Sequence, residues 1–192
     1  MPSAQSLAYH HLTVNDFHRM GEVGILHEDD RVELIDGVII DMAPIGSLHA
    51  SQVNHLTHRL VPAVSGRAIV APQNPLHLGT SSEPQPDVMV LRYRADFYAA
   101  AHPEPSDALL LIEVADTSLS YDRDVKIPLY ARHAIPEVWL IDVQNQRVEV
   151  FRQPHPNGYQ AVLQPANTER LRPVLLPDIS VLVADLWASA HE

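Results

Sequence analysis

Two apolar runs, "QPDVMVLR" and "DALLLIEVA", constrain the fold of this chain more than any other feature. Compact, β-rich and apolar, they are expected of strands in the middle of a sheet. The proline-rich "AHPEPSD" between them reads as a loop. The second run carries a carboxylate, Glu113, among residues that belong in a core. An ionised carboxylate is costly to bury unless it is paired or bound to a metal.

The remaining elements follow from local pattern. "TVNDFHRM" reads as a short helix capped by Thr13. "RVELIDGVIIDMAP" places two apolar runs around Asp36-Gly37, a hairpin signal. "SLHASQVNHLTHRLVPAV" spaces Leu48, Val53, Leu56 and Leu60 as a helix beginning at Ser47. "RAIVAP" and "NPLHL" read as strands, as do "EVWLIDV", "RVEVFRQ" and "GYQAVL", and "ISVLVADLWASA" holds a last short helix. "YDRDVKIPLYARHA" is helical in pattern, with Pro128 suited to a first turn or a kink. Hairpins early and late, with a strand–helix–strand unit between them, predict an α/β or α+β domain around a mixed sheet.

A chain of 192 residues suits one domain, expected over residues 13–192 after a flexible arm at 1–12. There is no cysteine, which excludes disulfides, thiolate nucleophiles and cysteine-bound zinc. No secretory signal is evident and no apolar run is long enough to cross a bilayer, so a cytoplasmic protein without membrane contact is expected. The net charge of -11 weighs against a general nucleic-acid coat, but not against an enzyme meeting DNA through a local patch and a divalent cation. No glycine-rich phosphate loop and no G-x-S-x-G elbow is present.

Three residues could carry chemistry: Asp87 at the start of one apolar run, Glu113 inside the other, and Lys126 on the following helix. Lys126 is the one lysine in a chain whose other twelve cations are arginine. Two carboxylates on neighbouring strands repel, and a divalent cation of the Mg²⁺ or Mn²⁺ type, which prefers oxygen ligands, relieves that. An ammonium close by could stabilise an oxyanion or orient a water. Taken singly, each has an ordinary reading: Asp87 ending a turn, Glu113 paired with an arginine at a strand edge, Lys126 solvated. The order acid–strand–acid–helix–lysine favours the functional one. His55 and His58, at i and i+3, lack a third ligand at diagnostic spacing and read as solvated. Trp139 and Trp187 read as core or interface anchors.

Taken together, "RVELIDGVIIDMAP", His49, "QPDVMVL", "LLIEVADTSLSYDRDVKIPLYARHAIPEVWLID" and "VEVFRQ" resemble the Uma-type (Uma-two) restriction endonucleases of the PD-(D/E)XK nuclease superfamily. The resemblance runs from about Thr13 to the C-terminal helix. It implies a restriction-endonuclease-like core, a central mixed sheet flanked by helices, with the N-terminal hairpin added. The implied activity is metal-dependent hydrolysis of DNA, with a homodimer as the expected assembly; a catalytically degenerate nuclease fold serving as a binding module is the alternative. Asp87 matches the "PD" aspartate and Glu113 the acid of "(D/E)XK", with the Val114 carbonyl a further ligand for Mg²⁺ or Mn²⁺. Ala115 stands where the superfamily has its lysine, and the family pattern supplies Lys126 from the next helix instead. Glu33 matches the glutamate of "ELIDG" and would reach the metal through water, or else face outward beside an arginine. His49 matches a histidine at a helix start, suited to a phosphate or ligand, or to capping and packing. Asp122, in "YDR", is expected first as a helix N-cap and second in catalysis.

Overall fold

Thr13 opens the first helix, α1 (Val14–Glu22), with reciprocal caps. Asp16 N–H donates to Thr13 Oγ1 at 3.1 Å, and Thr13 N–H donates to Asp16 Oδ2 at 2.9 Å. Strands β1 (Val32–Ile35) and β2 (Val38–Asp41) follow as an antiparallel pair, with Ile35 opposite Val38. Asp36 and Gly37 both have positive φ, 48° and 81°, the conformation that two-residue hairpin turns require. Gly37 is also sterically fixed, because a Cβ there would lie 2.5 Å from the Cβ of His11.

The computed structural model describes residues 9–27 and 29–187. Most of the arm expected at 1–12 therefore lies outside the described residues. The chain divides into two units, one made of Met1–Pro44 with Leu78–Pro84 and the other of Ile45–His77 with Gln85–Glu192. The hairpin belongs to the first, where Leu34 also bridges to Glu83.

In the second unit, α2 (Ser47–Val64) buries Val53, Leu56, Leu60 and Val64. Leu48, expected on the same stripe, is 43% exposed. The N-cap is Gly46, and Ser47 is the first helical residue. Strand β3 (Ala68–Pro72) leads to "NPLHL", which is not a strand. Leu76 and Leu78 are both fully buried, but the segment makes no ladder; His77 N–H donates to the Pro103 carbonyl at 2.9 Å. Alternating burial without strand pairing misled the periodicity here.

The two apolar runs form β4 (Val88–Arg92) and β5 (Ala108–Ala115), with one turn of 3₁₀ helix, Pro105–Asp107, ending the loop between them. A helical segment comes next, in three pieces. They are α3 (Leu119–Tyr121), a π-helical turn (Asp122–Lys126) and α4 (Ile127–Arg132), with Pro128 in the first turn of α4. Strands β6 (Glu137–Asp142), β7 (Arg147–Arg152) and β8 (Ala161–Leu163) complete a sheet of order β3-β4-β5-β6-β7-β8. Only β5 and β6 are parallel, across the helical segment; the other pairs are antiparallel. Strands β9 (Arg170–Leu171) and β10 (Val181–Leu182) pair separately, before a 3₁₀ turn at Val183–Leu186. The rest of the expected terminal helix, beyond Trp187, lies outside the described residues.

One face of the sheet, with Val88, Val90, Ile112, Val114, Trp139 and Val150, packs against the α2 stripe as the main core. Each large apolar side chain so buried contributes about 1.5–3 kcal/mol. Successive residues of a strand point to opposite faces. Glu113, between Ile112 and Val114, therefore points away from that core, toward the helical segment.

Candidate active site

Register brings the two carboxylates together. The last β4–β5 pair is Val88 with Ile112, so one further step sets Asp87 across from Glu113. Beyond that pair the Val114 N–H meets no β4 carbonyl and donates instead to Asp87 Oδ2 at 2.8 Å. Asp87 is thus held at the end of the strand by the backbone next to Glu113. Its own carbonyl accepts from Gln73 N–H at 3.1 Å.

The π-helical turn delivers the cation. Lys126 Nζ lies 3.0 Å from Glu113 Oε1, with both side chains buried, and 3.4 Å from the Gln85 carbonyl. One turn on, Tyr130 is fully buried and its hydroxyl donates to the same Glu113 Oε1 at 2.5 Å. Burial pushes the Glu113 carboxyl well above the ordinary glutamate range. The Lys126 charge opposes this, the Asp122 and Asp87 charges add to it, and the Tyr130 hydroxyl pulls the other way. Burial wins, so Glu113 holds its proton to higher pH than a surface glutamate does.

His49, in the first turn of α2, faces Asp87 with Nε2 2.9 Å from Oδ1. The contact lies off the line of a good hydrogen bond, since Nε2 is buried without an aligned partner, and it is an ion pair when the imidazole is protonated. The Asp87 contact raises the imidazole pKa above 6.5 against desolvation, helped by the Asp87 charge, the Val114 backbone and the Asp122 charge. His49 is therefore not a cap.

Asp122 is not an N-cap either. That position falls to Ser118, whose hydroxyl donates to Asp122 Oδ2 at 2.5 Å. Asp122 is buried, and its charge is felt at both Glu113 and His49. Glu33 lies on β1 in the first unit and is buried, so the outward-facing alternative does not hold. His55 Nε2 lies 2.8 Å from the Asp185 carbonyl and is part-buried rather than solvated. Trp139 is fully buried in the core, as expected.

Asp87, Glu113, Val114, Lys126, His49 and Asp122 thus share one neighbourhood in the second unit. Tyr130 was not anticipated from the sequence, although its i, i+4 spacing from Lys126 was the available signal. Burial first, and then the charges of two acids, Asp122 and Asp87, raise the Glu113 pKa; with one ammonium and one imidazole beside them, these carboxylates are oxygen donors of the type a hard divalent cation takes. Asp87, Glu113 and the Val114 carbonyl are the groups that could hold it.

Comparison with known proteins bears on the fold and the family. A crystal structure described as "a putative nuclease belonging to DUF820 from Anabaena variabilis ATCC 29413" superposes with a TM-score of 0.74 at 19% identity. The match covers 92% of this chain and 97% of that one, and shows the same fold. No curated protein matches. Among the described residues no helix is long and apolar enough to cross a membrane. A family model described as "Uma2: Putative restriction endonuclease" matches residues 14–185, so the chain belongs to the Uma2 family.

Proposed function

We propose that this protein is a metal-dependent endodeoxyribonuclease that hydrolyses DNA phosphodiester bonds at the Asp87–Glu113–Lys126 cluster. The observation that carries the reading is the 3.0 Å approach of Lys126 to Glu113 from a different element, at the place where Asp87 is pinned to Val114. These contacts support an acid-pair-plus-lysine reading although the residue after Val114 is alanine.

Each side chain has a defined task. Asp87 and Glu113, with the Val114 carbonyl, would hold Mg²⁺ or Mn²⁺. When bound, the ion supplies Lewis-acid and templating chemistry at the phosphate. Lys126 orients the attacking water and stabilises charge developing on the phosphoryl oxygens. Tyr130 fixes the rotamer of Glu113. His49 and Asp122 set the charge around the cluster. Cutting both strands of a duplex calls for two such clusters, which a homodimer supplies.

The test is nicking of supercoiled plasmid with and without Mg²⁺ or Mn²⁺, by wild type and by Glu113→Gln. Metal-dependent nicking that Glu113→Gln abolishes supports the reading; equal nicking by both proteins refutes it. A second reading, a nuclease fold retained as a binding module, is favoured by one observation: Glu113, Lys126 and Tyr130 already satisfy one another in a buried cluster. It requires that Asp87→Ala leave metal uptake and biological effect unchanged.

A further inference from the structure

A hollow opens on the face of the sheet that carries Glu113. Its volume is about 520 Å³, within the range of small-ligand sites. Register fixes where it lies. Glu113 on β5 is opposite Leu140 on β6, Leu140 is opposite Glu149 on β7, and both Leu140 and Glu149 line the hollow. Cross-strand partners face the same side, so the floor runs directly from the acid cluster at strand spacings of about 4.8 Å. The helical segment above is shared as well. Lys126 turns to Glu113, whereas Leu119 and Arg123, four residues apart on a neighbouring stripe, turn into the hollow.

The lining has a particular chemistry. Leu119, Leu140 and Pro165 offer aliphatic surface. Gln164 donates from Nε2 to Glu149 Oε1 at 2.9 Å, which fixes its amide at the wall. Arg123 is tied to the other Glu149 oxygen at 3.1 Å, while Arg147 stands exposed at the rim. Aliphatic walls, a fixed amide and a guanidinium at the mouth suit a flat heterocycle that is hydrogen-bonded at its edge and carries a phosphate.

We propose that this hollow is a nucleobase subsite, seating one nucleotide next to the scissile phosphate, with Gln164 reading the base edge and Arg147 meeting the flanking phosphate. The assignment rests on the nuclease reading of Asp87, Glu113 and Lys126. It makes cleavage sensitive to the identity of one base beside the cut.

The test avoids catalysis. Deoxynucleoside 5′-monophosphates are titrated without divalent cation into wild type, Gln164→Ala and Arg147→Ala, following side-chain amide resonances by NMR, with deoxyribose 5-phosphate as control. Both substituted positions are exposed, so the variants are expected to fold, and a thermal melt verifies it. Saturable binding of at least one nucleotide, weakened at least about tenfold by Gln164→Ala and weakened by Arg147→Ala, supports the subsite. Equal binding of the sugar phosphate, unchanged affinity in Gln164→Ala, or no saturable binding overturns it. Plasmid cleavage by a protein that fails this titration sinks the subsite alone; nucleotide binding by a protein that never cleaves sinks the nuclease reading and leaves the pocket.

Discussion

Removing the Lys126 ammonium leaves Glu113 buried without its ion-pair partner. Breaking a buried pair in this way costs about 3–5 kcal/mol while the remaining charge stays ionised. Glu113 has an escape, because burial already favours its neutral form. Lys126→Ala is therefore expected to lose most stability in alkaline solution and less as Glu113 takes up a proton, which denaturant titrations at several pH values will read. His49 behaves differently. Its pKa is raised in the folded protein, so its proton contributes stability fully below 6.5, and that contribution fades as pH climbs through the raised folded value. His49→Gln should flatten the stability profile across that window; a profile identical to wild type would show that the Asp87 contact is not an ion pair. The proximity of Glu113 and Lys126 was hinted at in the sequence, because one is an acid inside an apolar run and the other the chain's one lysine, and Asp87 stood out as an acid opening the neighbouring run. Tyr130 was not, since a tyrosine in "PLYARHA" looks like ordinary core, and only its spacing from Lys126 hinted at a task.

At the scale of elements, the π-helical turn is the unusual feature. Such turns carry one extra residue relative to an α-helix, and this one ends at Lys126. Deleting the exposed Asp124 should remove the extra residue, let the segment close into regular α-helix and displace Lys126 from the position that meets Glu113. A folded protein with native circular dichroism and no nuclease activity is the expected outcome; retained activity would show that the turn does not set the lysine. The strands of the sheet were readable from their apolar runs, and the Asp36-Gly37 hairpin from its turn residues. The π turn was not, because helical periodicity does not distinguish one inserted residue. "NPLHL" failed for a related reason: alternation reports which side chains are buried, not whether the backbone is paired.

For the molecule as a whole, the net charge of -11 means that the protein does not attract DNA by bulk electrostatics. On the proposed reading, local cations and a bound divalent ion do that work, so metal uptake and substrate binding should be linked. The raised Glu113 pKa gives the linkage a sign. Binding a cation at this carboxylate displaces a proton, so affinity for Mn²⁺ should rise with pH up to the Glu113 value and then level off. Calorimetry in buffers of different ionisation heat should register the released proton, and a pH-independent affinity would place the ion elsewhere. The most direct test of the shared centre is the plasmid-nicking rate of wild type and Lys126→Ala side by side at saturating Mn²⁺. A drop of at least about a hundredfold in Lys126→Ala, with the metal affinity of Asp87 and Glu113 retained, is the predicted result. Equal rates would contradict the assignment of the lone lysine to catalysis.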